Sequence, residues 1–247
     1  MKKIYNVNSL PFFDKEEIIT RKYFKDMLEL NVEKILRNEN QAWQFIEIEA
    51  PILTPVDKIN SNYTNEEVWF QESKSEDQKL VLRPETTPSS YEYAKMLLDS
   101  NQIKTPFVVW QAGKSYRREV DQPSKHCRFK EFYQQEFQCF FTSDTKNDYQ
   151  EAALVPLKQV VERLLSLPTR IVESDRLPSY SLKTMDIEVD NGDKWMEVCS
   201  ISVRKDFDKK ARFQNKNKVI EKDLFVLEIA FGLDRLLYNY FNKKNLK

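Results

Sequence analysis

Arginine and glutamate two residues apart on one strand can hold a phosphate and an amino group side by side. Tyr116-Arg117-Arg118-Glu119 offers such a pair. Side chains at i and i+2 point to the same face of a strand. The Arg117 fork could therefore clasp phosphate oxygens while the Glu119 carboxylate accepts from an amine. A plain cross-strand ion pair predicts the same two residues. Arg128 and Lys130 share a face further on, with Glu136 along it. One antiparallel hairpin would then present several cations and an inward acid, although a solvated, charged sheet face fits that alternation too. Glu228 interrupts the apolar run Val226-Leu-Glu-Ile-Ala-Phe231, followed by Gly232 and Arg235. A carboxylate in a buried strand requires a partner, and a metal ion or an arginine would serve. Gly232 would open a helix whose first N–H groups can face an anion, with Arg235 one turn inside. A buried Glu–Arg pair with structural duties alone is the alternative.

The elements that must position these residues follow from periodicity. Apolar residues recur at helical spacing from Asp14 to Asn40, predicting a long amphipathic helix. A strand is expected from Trp43 to Ile48, ended by Pro51, then a polar, acidic excursion over residues 60–79. Lys79 to Arg83 reads as a short strand, and Pro88 begins a helix through Leu98. Phe107–Gln111, Lys114–Glu119 and Arg128–Phe141 read as strands around a polar loop, Val120 to Cys127, which describes a long antiparallel hairpin. A helix over 148–166 follows. Strands are then expected at Thr184–Val189, Trp195–Arg204 and Leu224–Ile229, before a closing helix from Phe231 to Phe241. Repeats, low-complexity tracts and linkers are absent. The expectation is one α+β domain over residues 1–247, built on an antiparallel sheet flanked by helices.

Composition narrows the class of protein. Hydrophobic residues make up 40% of the 247 and aromatic residues 13%, enough for a sizeable core and too many for a disordered chain. Lys+Arg and Asp+Glu number 39 each, so net charge points to no partner. The three cysteines form no C-x-x-C pair, and the first ten residues lack an apolar signal segment. No apolar run approaches the ~20 residues of a membrane span. A cytoplasmic protein with reduced thiols and no membrane attachment is expected.

Taken in order, these segments resemble the three motifs of class II aminoacyl-tRNA synthetases. Phe45-Ile-Glu-Ile-Glu-Ala-Pro51 is similar to motif 1. Tyr116–Glu119 with Arg128-Phe-Lys-Glu-Phe132 is similar to motif 2, and Phe231-Gly-Leu-Asp-Arg235 to motif 3. Within the class, the dimeric glycyl-tRNA synthetases resemble this chain most, through Leu82-Arg-Pro-Glu-Thr86, Gln111–Arg117, Glu131–Glu136, Lys183–Glu188, Trp195–Arg204 and Asp206-Phe-Asp208. The resemblance implies ATP and Mg²⁺ as cofactors and an amino acid, glycine, as substrate. Arg117 would hold the α-phosphate, Glu119 would read the adenine amino group and Phe132 would stack on the adenine. Arg128 would contact the outer phosphates, Arg235 would clamp the γ-phosphate, and Glu228 would help coordinate Mg²⁺. Glu85 and Glu136 would bind the amino group of the amino acid, with Arg204 in the same pocket. Motif 1 and its helix, residues 14–55, would build a C2 homodimer.

The chain also departs from the pattern. Ala230 stands where the family usually carries a serine that contacts glycine; one lost hydroxyl contact costs about 1 kcal/mol. Ser200, Ser202 and Val203 replace small or acidic residues before Arg204. Only 12 residues follow Arg235, where glycyl enzymes continue into an anticodon-binding domain, so a catalytic core alone is expected. It would meet tRNA at the acceptor stem. Eight Lys/Arg in residues 204–222 could touch RNA backbone or form a solvated insertion. His126, in the motif 2 loop, is either an acceptor-stem contact or an exposed loop residue. Three functions fit: tRNA charging, transfer of the adenylate to a non-tRNA acceptor, or a non-catalytic binding subunit.

Overall fold

A computed structural model describes residues 4–59, 63, 67–70, 79–118, 127–142, 148–175, 181–204 and 224–243. Helix α1 (Lys15–Glu39) fills the first expected helix to within a residue at each end, because both ends are written in the sequence. Asp14 accepts from the Glu17 backbone N–H at 3.0 Å, and Glu17 accepts from that of Asp14 at 2.8 Å. This capping box satisfies N–H groups that no helical carbonyl can reach. Phe24, Leu28, Val32 and Leu36, four residues apart, form its buried stripe.

The other elements in chain order are β1 (Tyr5–Val7), β2 (Leu10–Phe12), β3 (Gln44–Glu47), β4 (Leu53–Pro55), β5 (Trp69–Phe70), β6 (Leu80–Leu82) and α2 (Thr87–Asp99). They continue with β7 (Phe107–Tyr116), β8 (Glu131–Thr142), α3 (Tyr149–Leu165), β9 (Thr169–Glu173), β10 (Ser181–Asp190), β11 (Trp195–Arg204), β12 (Leu224–Gly232) and α4 (Leu233–Asn242). The two strands expected at 107–111 and 114–119 are one continuous strand, β7. Hairpin β1–β2 lies in a stretch that reads as merely polar. Its two-residue turn puts Asn8 and Ser9 at φ 51° and 66°, the left-handed values that close a tight hairpin. Strand β9 also escapes the sequence pattern, being an edge strand of five residues.

Seven strands form the main sheet in the order β3-β7-β8-β12-β11-β10-β9. Only β3 and β7 run parallel; every other neighbouring pair is antiparallel. The fold is thus α+β on a mostly antiparallel sheet, as the sequence predicts. A small sheet, β4-β6-β5, stands apart.

Alternation along the strands makes the two faces of the main sheet chemically different. Val108, Trp110, Phe137, Cys139, Leu227, Ile229, Phe231, Ile201 and Ile187 form one face, packed against α1, α3 and α4. On the opposite face, Phe107, Val109, Phe140, Leu224 and Val226 pack under α2 at one end, and polar residues occupy the remainder. Among the described residues, no helix is long and apolar enough to cross a membrane.

Phe137 sits at the centre of the apolar face, fully buried, stacked on Trp110 at 5.4 Å and edge-on to Phe231 at 6.3 Å. Phe137→Ala should lower unfolding free energy by about 3–5 kcal/mol in urea, through lost burial and the cavity left behind.

Candidate active site

Strand register assembles the polar face. Glu136 on β8 lies between Gln111 of β7 and Ala230 of β12. Glu228 lies between Gln138 of β8 and Ser202 of β11. Ser200 of β11 links Ala230 to Asp186 of β10. Residues more than 90 positions apart in sequence thus become neighbours because antiparallel strands hold them opposite each other.

Two carboxylates are buried here, and each is densely partnered. Glu136 is 5% exposed; its Oε1 accepts from Gln134 Nε2 at 2.7 Å. Its Oε2 accepts from the Thr86 hydroxyl through a short bond and from that of Thr87 at 3.1 Å. Oε2 of Glu228 accepts from Thr87 Oγ1 at 3.0 Å, Gln138 Nε2 at 2.8 Å and Arg204 Nη1 at 2.7 Å. A single Thr87 hydrogen cannot serve two ionised carboxylates, and the geometry is satisfied when one of them carries a proton. Glu136 is the one whose surroundings favour the protonated form. Burial pushes its pKa up to about 8, with the charges of Glu228 and Glu85 adding to the rise and the two threonine hydroxyls opposing it. Glu85, at the residue before Thr86, is buried as well. Three carboxyl groups, Glu85, Glu136 and Glu228, converge here, and Arg204 pairs with one of them, Glu228.

The partner of Glu228 is therefore Arg204, from the neighbouring strand. Among the described residues, no group of three His, Cys, Asp or Glu side chains could hold a metal ion by itself. Arg204 occupies Oε2 of Glu228, so a Mg²⁺ that brings phosphate and water ligands of its own would meet this side chain through Oε1.

The cations expected to bind phosphates come from the chain after β7 (Arg117), the chain before β8 (Arg128) and the first turn of α4 (Arg235). Arg117 follows β7 directly, its backbone N–H bonded to Lys130 O at 3.0 Å, and its Nε donates to Pro84 O at 3.0 Å. The guanidinium lies 5.1 Å from the Phe132 ring and 5.6 Å from the Tyr63 ring. Arg128 is exposed. Arg235, in the first turn of α4, donates to Glu197 O at 3.0 Å and pairs with its carboxylate at 3.2 Å. Asp234 beside it anchors the helix start to β8 by accepting from Tyr133 N at 2.9 Å. Ala230 lies on the floor, half-buried. Glu119, His126 and residues 205–222 of the basic stretch lie outside the described residues.

Sequence reasoning missed Thr86, Thr87, Gln134, Gln138 and Tyr63. Gln134, Glu136 and Gln138 alternate along β8, a signal visible in the sequence. Nothing local marks Tyr63, whose hydroxyl feels Arg117, Glu85, Glu136 and Glu228 together and whose pKa burial raises.

The description "tRNA synthetase class II core domain (G, H, P, S and T)" matches residues 63–244. The chain belongs to this class II synthetase core family. Among its relatives, the glycine--tRNA ligase of Mycoplasma capricolum is 32% identical over 184 residues, covering 67% of this chain and 40% of that protein. The glycine--tRNA ligase of Mycoplasmopsis synoviae is 29% identical over 233 residues, 83% of this chain and 51% of that one. The chain thus spans about half the length, or less, of these relatives. A crystal structure of prolyl-tRNA synthetase from Cryptosporidium parvum, complexed with halofuginone and AMPPNP, shares the fold at a TM-score of 0.75 and 14% identity. The match covers 95% of this chain and 48% of that one.

In this synthetase core the raised pKa of Glu136 has a measurable consequence. The folded state keeps the proton up to about pH 8, whereas an ordinary glutamate releases it near 4.5. Glu136 therefore supports the fold below the lower value, and its contribution falls as pH rises through the window. Asp186 and Asp234, raised by burial to about 6 and about 7, act in the same direction. Glu136→Gln should reduce, without abolishing, the loss of stability between about pH 5 and about pH 9 measured by urea unfolding.

Proposed function

We propose that this chain activates an amino acid, glycine, with ATP to form an aminoacyl-adenylate and transfers it to the acceptor end of a tRNA. The observation that carries the reading is an acid-lined pocket with the Arg117 guanidinium beside it, Tyr63 feeling both. An α-ammonium is the cation that suits Glu85 and Glu136, with Glu136 releasing its proton as the cation arrives, and Arg204 already neutralises Glu228. The relatives named glycine--tRNA ligase support glycine, and the AMPPNP bound to the prolyl enzyme supports ATP.

The chemistry follows from the charges. The amino acid's carboxylate attacks the α-phosphorus of ATP, the bond to the β-phosphate oxygen breaks, and pyrophosphate leaves. No side-chain base is required, because the nucleophile is already ionised. Arg117 holds the α-phosphate, where its guanidinium offsets the charge that develops on the equatorial oxygens. Phe132 supplies a flat surface for the adenine, and Glu119 reads its amino group. Arg128 and Arg235 hold the outer phosphates, for which Arg235 exchanges its contact with Glu197. Magnesium bound to the nucleotide would supply charge neutralisation on the phosphates.

Residues 1–247 act in this reading as one catalytic domain in the cytoplasm, paired as a homodimer. Helix α1 exposes Ile19, Tyr23 and Leu30. A groove of about 610 Å³ lies beside β3, β4 and α2, lined by Ile48, Pro51, Leu53, Tyr93 and Met96 among others. Both belong to the segment expected to make the interface or lie against it.

Three results are expected. Glycine alone of the twenty amino acids should support ATP–pyrophosphate exchange; exchange with a different one would sink the glycine assignment, and none at all would favour a binding subunit. Arg117→Ala should lower kcat/KM for exchange by about 10²–10³-fold, the loss typical of a transition-state charge stabiliser. Sedimentation at micromolar concentration should give a dimer, and a monomer there would refute the pairing.

A further inference from the structure

Arg83 is 3% exposed, far more buried than an arginine usually is, and it touches none of the acids directly. Its donors are spent on the backbone around it. Nε donates to Lys114 O at 2.9 Å, and Nη1 reaches Ala50 O at 3.1 Å and Pro51 O at 3.4 Å. Nη1 also donates to Gln111 Oε1 at 2.9 Å. Because a guanidinium can only donate, this contact fixes which end of the Gln111 amide faces it. The amide nitrogen must then point the other way. There it donates to Thr86 O at 3.0 Å and Ser90 Oγ at 2.9 Å, and the Thr86 hydroxyl donates to Glu136. Gly113, two residues along β7, keeps the path open: a Cβ there would collide with Nη2 of Arg83.

We propose that Arg83 is a positioning residue for the amino-acid pocket, orienting Gln111 so that Thr86 is held with its hydroxyl on Glu136. The alternative is that Arg83 only cements the chain after β3 to β7. The two roles differ in what they predict for Glu136. In the positioning role, loosening Arg83 or Gln111 lets Thr86 turn away, and Glu136 loses a hydrogen bond that favours its ionised form. The carboxyl then holds its proton more tightly and binds an ammonium less well. Glu136 otherwise feels Glu228 on β12, Glu85, Thr87 at the start of α2, the Tyr63 hydroxyl and the charge of Arg83 itself, which Arg83→Lys shifts and Gln111→Met leaves in place, so Gln111→Met isolates the route through Thr86. As a catalytic statement the inference rests on the amino-acid activation proposed above; as a statement about Glu136 it does not.

The test uses Arg83→Lys, which keeps the charge and loses the fork, and Gln111→Met, which is neutral and breaks the next link. Each is first checked by circular dichroism and urea unfolding, and Gln111→Met decides alone if Arg83→Lys fails to fold. Glu136 is titrated by carbon-13 NMR of glutamate-labelled protein, assigned with Glu136→Gln. Both variants should move its titration to higher pH. In pyrophosphate exchange both should raise KM for glycine about tenfold, with kcat and KM for ATP changed less than about twofold. Folded variants that lose stability but leave the Glu136 titration in place would overturn the proposal. If the unsubstituted protein exchanges with no amino acid, the activation reading falls, while the titration still decides the role of Arg83.

Discussion

Glu136 stands in the middle of a seven-stranded sheet with a strand on either side, in a place where an unpartnered carboxylate would be costly. Much of the polar half of the molecule can be understood as what that position demands. Gln134 and the Thr86 hydroxyl supply donors, the Thr87 hydroxyl lies between it and Glu228, and burial beside Glu228 and Glu85 raises its pKa. Glu228 meets the same demand differently, by taking a full ion pair with Arg204. Two acids one strand apart thus reach opposite solutions, one by holding a proton and one by holding an arginine.

The donors come from the start of α2, which explains why this helix lies on the polar face. Its apolar residues Tyr91, Ala94 and Leu98 pack at the sheet end, where Phe107, Val109 and Phe140 give it an apolar seat. Its first turn is thereby brought over the acids. The apolar face beneath, with α1, α3 and α4, provides rigidity. A pocket whose walls come from five strands and a helix start keeps its geometry only if the strands cannot shift register, and the buried alternation of the apolar face resists that.

A pocket lined by Glu85, Glu136 and Glu228, with Arg117 over the Phe132 and Tyr63 rings, suits the ligand proposed above, one with a positive and a negative end. That is the charge pattern of an amino acid meeting a nucleotide phosphate. Family membership and the relatives' names agree with this pattern, and Ala230, half-buried between Glu136 and Ser200, adds no polar group of its own to the floor.

Much of the fold was legible in the sequence. The span of α1 was written in its capping residues and four-residue stripe, and α3 likewise begins at Asp148, which accepts from Glu151 N–H at 3.1 Å. These are local signals, carried by residues a few positions apart. Hairpin β1–β2, strands β4 and β5 and edge strand β9 were missed because strands of two to five residues carry too few positions for a clear alternation. Arg117, Phe132, Glu136, Glu228 and Arg235 were nameable in advance through motif spacing and an acid in an apolar run. Which partner Glu228 would take was not, since a metal ion and an arginine satisfy the same need. The choice of Arg204 depended on the pairing of β11 with β12. Thr86, Thr87, Gln138 and Tyr63 likewise became part of the site only when distant strands met. By itself the sequence determined where the helices start, which residues face inward and which side chains could do chemistry, because those depend on neighbours along the chain. Tertiary structure alone decided who partners whom and which carboxyl keeps its proton, because burial and charge depend on neighbours in space.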